Sequence, residues 1–251
     1  MSKKVIAFDL DDTLAVTKSA ITDRMGDLLG KLLEKYNVCV ISGGRFEQFE
    51  KQLLDNLYAE PEKLARLHLM PTCGTRYYRF DTKNNKWEQQ YSEDLSEEDK
   101  ELILKTLKEG AKKLGLWPDK PFGDVIEDRG SQITFSGLGQ NAPAEEKYKW
   151  DPDGAKKHKI RDHVAQLLPH LEVRVGGTTS VDITKVGIDK AYGMKKLMEA
   201  LDITKQEIFF IGDRLEEGGN DYPVKAAGID CMQISHANET ELAIEAIIGV
   251  S

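Results

Sequence analysis

The segment VIAFDLDDTL, residues 5–14, places three carboxylates directly after an apolar run. The run VIAF has the length and continuity of a strand that is buried on both faces. Asp9, Asp11 and Asp12 follow where that strand should end, and like charges so close together repel one another. A divalent cation among them would offset the repulsion, because hard cations such as Mg²⁺ take oxygen ligands. The segment therefore predicts a cation site at the carboxyl end of a buried strand.

The same strand pattern occurs elsewhere in the chain. Residues 38–45 (VCVISGGR) form a short apolar run that ends in a hydroxyl residue and two glycines, with helical spacing before it in residues 20–36 and after it in residues 46–57. The pattern returns after residue 187, where a helical segment precedes EIFFIGD, residues 207–213. Alternating strands and helices predict an α/β fold with a parallel sheet, whose ligands bind beyond the carboxyl ends of the strands.

The middle of the chain has a different character. From about residue 83 it is rich in charge, and residues 125–137 and 171–185 alternate apolar and polar positions as antiparallel strands with one wet face do. This part predicts an α+β unit inserted into the parallel sheet. The expected domains are therefore a core of residues 1–82 and 188–251 and an inserted domain of residues 83–187.

Charge and cysteine content limit the partners. The net charge of -8 argues against a nucleic-acid or anionic-membrane surface as the main partner, but a local cluster of cations can still bind a small anion. The three cysteines show no close paired spacing, which favours reduced thiols in the cytoplasm. The N-terminus lacks the layout of a signal peptide, and no apolar run is long enough for a membrane helix.

The acidic loop predicts phosphoryl transfer. With a cation holding a phosphate oxygen, a carboxylate oxygen of Asp9 can attack phosphorus. Asp11 lies two residues on, on the same side of an extended backbone, and can serve as general acid and then as base for water. The metal shell would be completed by Asp213 and Asp221.

Further groups could bind the phosphate. Ser42 offers a hydroxyl at a strand end, next to backbone amides such as that of Gly43, and Lys190 offers a fixed cation at a helix start. Each of these features is ordinary by itself, since a Ser-Gly-Gly segment is usually a turn and a lysine at a helix edge is usually solvated. Their joint occurrence at strand ends and helix starts of one sheet is what points to a site.

These residues resemble the haloacid dehalogenase superfamily of phosphotransferases. The resemblance lies in FDLDDTL, in VISGG with Ser42, in Lys190 and in GDRLEEGGND with Asp213 and Asp221. It implies a Rossmann-like core, an aspartyl-phosphate intermediate, and Mg²⁺ held by Asp9, the backbone carbonyl of Asp11 and Asp213. The position of the insertion resembles the subgroup that carries a large α/β cap domain, which selects the substrate.

Within that subgroup the chain is most similar to the eukaryotic-type phosphomannomutases, through TSVDITKVGIDKAYGM and GDRLEEGGNDYPV. The resemblance implies that Ser180 and Asp182 bind the substrate and that Arg129 is a cap arginine. Two further phosphate-binding arginines of the family are replaced by Gln140 and Lys147, and Lys147 is kept as a candidate substrate ligand.

The two replacements affect the predicted activity. A mutase must hold a sugar bisphosphate at both ends, and the loss of guanidinium groups removes bidentate contacts. The sequence therefore favours a Mg²⁺-dependent phosphatase that hydrolyses a small phosphate monoester such as a sugar phosphate. The alternatives are a phosphomannomutase-type mutase and, in another class, a non-catalytic or receiver-like phospho-ligand-binding domain. The expected partner is a small phosphorylated metabolite, and a homodimer is one option for the assembly.

Overall fold

The computed structural model describes residues 2–250. The strands in chain order are β1 (Val5–Asp9), β2 (Asn37–Ile41), β3 (Leu67–Met70), β4 (Arg76–Asp81), β5 (Lys86–Ser92), β6 (Ile126–Asp128), β7 (Gln132–Ser136), β8 (Leu171–Val175), β9 (Ser180–Lys185), β10 (Ile208–Gly212) and β11 (Asp230–Gln233). The α-helices are α1 (Asp23–Lys35), α2 (Phe46–Gln52), α3 (Pro61–Leu64), α4 (Glu97–Lys113), α5 (Ala144–Trp150), α6 (Ala155–Leu167), α7 (Lys190–Leu201), α8 (Tyr222–Ala226) and α9 (Ala237–Gly249). No helix within residues 2–250 combines the length and the apolar character that a membrane crossing requires.

The chain forms two compact units. Unit 1 comprises Met1–Ser92 and Asp189–Ser251, and unit 2 comprises Glu93–Ile188. The predicted boundary after residue 82 is therefore ten residues too early, because residues 83–92 belong to the hairpin in which β5 pairs with β4. This hairpin lies at the edge of the sheet, and β5 has few buried side chains. Its polar sequence therefore resembles that of the inserted unit.

The sheet of unit 1 has seven strands in the order β11-β10-β1-β2-β3-β4-β5. The pairs from β11 to β3 are parallel, and β3–β4 and β4–β5 are antiparallel. All five residues of β1 are buried, as an apolar strand covered on both faces requires. The predicted α/β fold with a parallel sheet is confirmed.

Strand order in unit 1 brings the loops of interest together. Strand β1 lies between β10 and β2, so Asp9, Ser42 and Asp213 all occupy the carboxyl ends of adjacent parallel strands. Helix α1 packs its buried leucines on the sheet and begins at Thr22, whose side chain accepts a hydrogen bond from the Met25 N–H. The strands are thus held in a rigid core, and the loops beyond them carry the polar residues.

Unit 2 contains an antiparallel sheet of four strands in the order β6-β7-β9-β8. Residues that alternate along its central strands, among them Ile133, Phe135, Val181 and Ile183, are buried in a core with residues of α4 and α6. The intervening positions are polar, and Thr134 lies opposite Asp182 in the strand register. The sheet therefore has one apolar face and one polar face, as the alternating sequence predicted.

Candidate active site

Asp9 is the buried centre of the acidic group in unit 1. It ends β1, it is 3% exposed, and its Oδ1 lies 2.6 Å from Nζ of Lys190. Burial raises the pKa of Asp9 well above its ordinary value, Asp221 and Asp213 raise it further, and the Lys190 ammonium opposes the shift. A carboxylate in this setting is poorly solvated, and it depends on neighbouring cations for its charge.

Lys190 lies between two carboxylates. It is the first residue of α7 and is 1% exposed, and its Nζ is 2.6 Å from Asp9 and 2.5 Å from Oδ1 of Asp221. Burial acts against the ammonium charge, but Asp221 and Asp9 outweigh it, so the pKa of Lys190 is raised. The lysine is therefore a permanent cation in the described site, and it orients both carboxylates.

Asp213 and Asp221 belong to the same group. Oxygen atoms of Asp9, Asp213 and Asp221 lie within 4.8 Å of one another. Asp221 is completely buried, and its Oδ2 accepts a hydrogen bond of 3.0 Å from the Arg214 N–H. Burial and then Asp221 raise the pKa of Asp213 to about 6. The single ammonium group of Lys190 leaves an excess of negative charge among these carboxylates, which fits an oxygen-ligated divalent cation.

The glycine at the end of β10 makes room for this arrangement. A Cβ at Gly212 would lie 2.5 Å from Oδ2 of Asp221. A side chain at that position would push the carboxylate away from Lys190 and from the Arg214 N–H. Gly212 therefore belongs to the geometry of the site, although it supplies no ligand atom.

The loop after β2 carries the predicted phosphate-binding groups. Ser42 is 4% exposed, and its Oγ accepts a hydrogen bond of 3.1 Å from the Gly44 N–H. The Ser42 carbonyl accepts from the Cys73 N–H at 2.9 Å, which ties this loop to the one after β3. Gly43 is half-buried in the same loop. The hydroxyl is thus held in a fixed loop at the predicted edge of the sheet.

The three carboxylates of the first loop have different partners. Asp9 pairs with Lys190. Asp12 accepts hydrogen bonds from Oγ1 (2.6 Å) and the N–H (3.0 Å) of Thr17. Asp11 accepts a hydrogen bond from Gln48 of α2. Asp11 and Asp12 thus each have local donors, whereas Asp9 faces Asp213 and Asp221. Their carboxylates are not part of the group formed by Asp9, Asp213 and Asp221.

The Asp11 carboxylate accepts hydrogen bonds from three directions. Its Oδ1 receives the Lys18 N–H at 2.8 Å and Nε2 of Gln52 at 3.1 Å, and its Oδ2 receives Nε2 of Gln48 at 2.9 Å. Neither glutamine is among the site residues predicted from the sequence. Their spacing of four residues on a helix that begins just after VISGG was the available signal, since such residues share a face.

Unit 2 contains the predicted substrate ligands Arg129 and Lys147. Arg129 contacts Oε2 of Glu127 from Nε at 2.8 Å and from Nη2 at 2.7 Å. Lys147 is buried, and its Nζ donates to the carbonyl of Gln140 at 3.1 Å. Glu127 is not among the site residues predicted from the sequence. Both cations thus have acceptors within their own unit.

Ser180 and Asp182 lie on β9 of the same sheet. Oδ1 of Asp182 accepts a hydrogen bond of 2.7 Å from Oγ1 of Thr134. Burial raises the pKa of Asp182, and Arg129 opposes the shift. Ser180 pairs with Ser136 in the strand register, on the same side of the sheet as Asp182. These predicted ligands therefore share the polar face of unit 2.

Comparison with known proteins identifies relatives along most of the chain. A family model described as eukaryotic phosphomannomutase matches residues 25–247. The chain is 27% identical over 226 residues to phosphomannomutase 2 of Dictyostelium discoideum, covering 88% of this chain and 86% of that protein.

Solved structures show the same fold. A haloacid dehalogenase-like hydrolase from Bacteroides thetaiotaomicron superposes with a TM-score of 0.66 at 19% identity, over 98% of this chain and 100% of that one. The IMP-nucleotidase of Plasmodium falciparum superposes with a TM-score of 0.74 at 17% identity, over 99% of this chain and 69% of that one.

Proposed function

The chain belongs to the eukaryotic phosphomannomutase family within the haloacid dehalogenase superfamily. From this membership we propose that it is a Mg²⁺-dependent phosphatase of a small phosphate monoester such as a sugar phosphate. The membership agrees with the predicted superfamily and with the predicted class of phosphotransferase. The observation that carries the proposal is the buried Asp9, which ends β1 beside Lys190, Asp213 and Asp221.

In the first half of the proposed reaction, Asp9 is the nucleophile. Lys190 binds Oδ1, so Oδ2 is the oxygen that attacks phosphorus. The bond between phosphorus and the leaving oxygen breaks, and Asp11 gives a proton to that oxygen. Ser42 and the backbone of Gly43 hold the phosphoryl oxygens. The products are an aspartyl phosphate at Asp9 and the free alcohol.

In the second half, Asp11 acts as the base. It takes a proton from water as the water oxygen attacks phosphorus of the aspartyl phosphate, and the bond to Asp9 breaks. Inorganic phosphate leaves, and Asp9 returns as a carboxylate. Lys190 keeps the Asp9 carboxylate in one orientation throughout.

The residues fit Mg²⁺, which the superfamily resemblance implies. Asp9, Asp213, Asp221 and the backbone carbonyl of Asp11 would hold it, because hard oxygen donors suit this ion and three buried or half-buried carboxylates face one ammonium group. When bound, Mg²⁺ neutralises negative charge on the phosphoryl oxygens. Asp221 already has a donor on each oxygen, from Lys190 and the Arg214 N–H, so its main role in the proposal is to position Lys190.

The charged groups of unit 2 favour hydrolysis of the substrate over its isomerisation by a mutase. A mutase needs cations for a second phosphate, but Arg129 is paired with Glu127 and Lys147 with a backbone carbonyl. The second candidate, a phosphomannomutase-type mutase, is favoured by the names of the relatives, which the chain matches over most of their length. Ser180, Asp182, Arg129 and Lys147 are the proposed substrate ligands of unit 2 in either case.

The main test is a Mg²⁺-dependent screen of phosphorylated metabolites with wild type and Asp9→Asn. The variant should remain folded and lose at least about 1,000-fold in phosphate release, because an amide is a poor nucleophile. The wild type should gain the mass of one phosphoryl group during turnover, and the variant should not. Full activity in Asp9→Asn would exclude the covalent mechanism.

A second assay separates the alternatives. The enzyme is given a hexose 1-phosphate with a trace of hexose bisphosphate, and both isomer and phosphate are measured. Isomerisation that outpaces phosphate release would establish the mutase instead. If neither product forms from any monoester or acyl phosphate, the non-catalytic phospho-ligand-binding domain is favoured.

The remaining expectations are part of the proposal. A small phosphorylated metabolite is the proposed partner, the cytoplasm is the proposed compartment, and a homodimer is the proposed assembly. Light scattering at several protein concentrations measures the assembly directly.

A further inference from the structure

The hydrogen bonds of Asp11 distinguish its two carboxylate oxygens. Each carboxylate oxygen has two lone pairs. Oδ1 accepts from both the Lys18 N–H and Gln52, so its lone pairs are used. Oδ2 accepts from Gln48 at 2.9 Å and keeps one lone pair for a proton. Oδ2 is thus the oxygen of Asp11 that can carry the transferable proton, and Gln48 is its partner.

The position of Gln48 is fixed by the neighbouring loop. A Cβ at Gly44 would lie 2.2 Å from Oε1 and 2.6 Å from Cδ of Gln48, so the amide group packs directly over the glycine. The Gly44 N–H in turn binds Oγ of Ser42. A continuous series of contacts therefore runs from the proposed phosphate-binding serine through Gly44 and Gln48 to Asp11.

We propose that Gln48 is a positioning residue for acid–base catalysis, which directs the proton on Oδ2 of Asp11 and is itself held by its contact with Gly44. This inference rests on the proposed function, because it assigns the residue that orients the proposed general acid. In this role Gln48 acts through Asp11 and makes no contact with the substrate.

The contact also affects the energetics of proton transfer. When Asp11 gives its proton to the leaving oxygen, Oδ2 becomes charged, and a hydrogen bond from an amide to a charged oxygen is stronger than one to a neutral oxygen. The Gln48 bond therefore strengthens as the step proceeds and stabilises the transition state more than the ground state. Loss of the Gln48 hydrogen bond should therefore slow the reaction more when the leaving oxygen is strongly basic and needs a proton to depart.

The test uses leaving groups that differ in this need. Phosphate release is measured for p-nitrophenyl phosphate, whose leaving group departs without a proton, and for a hexose 6-phosphate, whose alkoxide needs one. Gln48→Met keeps the length of the side chain and removes the donor. The two esters form the same aspartyl phosphate, so the leaving group affects only the first phosphoryl transfer, which kcat/KM reports. We expect kcat/KM for the hexose phosphate to fall about tenfold, as for one lost hydrogen bond to a charged group, and kcat/KM for the nitrophenyl ester to change less than about twofold.

Gly44→Ala disturbs the contact between Gly44 and the Gln48 amide by changing the glycine. The added methyl group should displace the Gln48 amide without changing Gln48 itself. It should therefore lower the ratio of kcat/KM for the hexose phosphate to kcat/KM for the nitrophenyl ester. On the Gln48→Met background, Gly44→Ala should have no further effect on the ratio, because the two residues act through one contact. Glu50→Gln, an exposed position on α2, is the matched control and should behave as wild type.

The outcomes separate this inference from the proposed function. A selective loss on the hexose phosphate, together with the non-additive double variant, supports a positioning role. Equal losses of kcat/KM on both esters, or no loss on either, would overturn it while phosphatase activity of the wild type stands. A wild type that hydrolyses neither ester would overturn the proposed function, and this inference with it.

Discussion

The two units hold their charges in opposite ways. In unit 1 the carboxylates of Asp9, Asp213 and Asp221 surround the ammonium group of Lys190, so negative charge is in excess. In unit 2 the guanidinium of Arg129 is matched by Glu127. A site with an unbalanced charge can accept a further cation, whereas a matched pair has to be separated before its arginine can bind a phosphate. The contrast indicates that the carboxylates of unit 1 have the charge balance of a cation site, whereas the Arg129–Glu127 pair does not.

The largest expected effect tests the buried cation of unit 1. Lys190→Met should lower the free energy of unfolding by about 3–5 kcal/mol, because it leaves Asp9 and Asp221 buried without their partner. The loss should be smaller at low pH, where the carboxylates can take up protons. Urea denaturation at several pH values measures it, with the exposed Lys195→Met on the same helix as the control. A change below about 1 kcal/mol would mean that the pair is not buried as described.

The next effect concerns the excess of negative charge. Asp213→Asn should weaken Mg²⁺-dependent activity about 10–100-fold, because it removes a proposed oxygen ligand. The same variant should leave the stability of the metal-free protein unchanged or slightly higher, because Asp221 and Asp9 lose a repelling neighbour. Activity against Mg²⁺ concentration and thermal unfolding in EDTA give the two results. A stability loss as large as that of Lys190→Met would contradict the excess of negative charge assigned to these carboxylates.

A smaller effect contrasts a buried histidine of unit 1 with an exposed one of unit 2. Burial lowers the pKa of His68 to about 3, below its ordinary 6.5, and Nδ1 lies 2.7 Å from the Tyr77 hydroxyl. Because the folded state disfavours the protonated form, stability is fully present above about pH 6.5 and falls towards pH 3, by about 1.4 kcal/mol per pH unit.

Denaturation of wild type and His68→Gln between those pH values measures this slope, which should be smaller by one proton in the variant. His170→Gln removes an exposed histidine that pairs with Asp99, and its stability change should stay below about 0.5 kcal/mol. Identical slopes in wild type and His68→Gln would contradict the prediction.

The smallest effect on hydrolysis is expected in unit 2. Glu127→Gln removes the carboxylate partner of Arg129 and should change kcat for a monoester by less than about twofold, because neither residue takes part in the bond changes at phosphorus. Affinity for a hexose bisphosphate should increase, measured by calorimetry, since the guanidinium loses a carboxylate that competes with phosphate. A large loss of kcat would contradict this prediction.

Much of unit 1 could be predicted because its signals are local. Apolar runs that end in Asp9, Ser42 and Asp213 indicate strands of a parallel sheet, and the carboxyl ends of such strands meet at one edge. The hairpin of β4 and β5 could not be assigned in the same way. Its outer strand has little buried surface, so its polar sequence resembles that of the inserted unit.

The sequence by itself determined which residue types lie at the edge of the sheet, because patterns among neighbouring residues indicate both the strands and the positions where they end. Only the tertiary structure decided which side chains pair there. Asp9 binds Lys190, Asp11 binds Gln48 and Gln52, and Asp12 binds Thr17, although the three carboxylates lie within four residues of one another. Such partners are fixed by how helices pack beside the strands, and contacts between distant segments depend on the whole core.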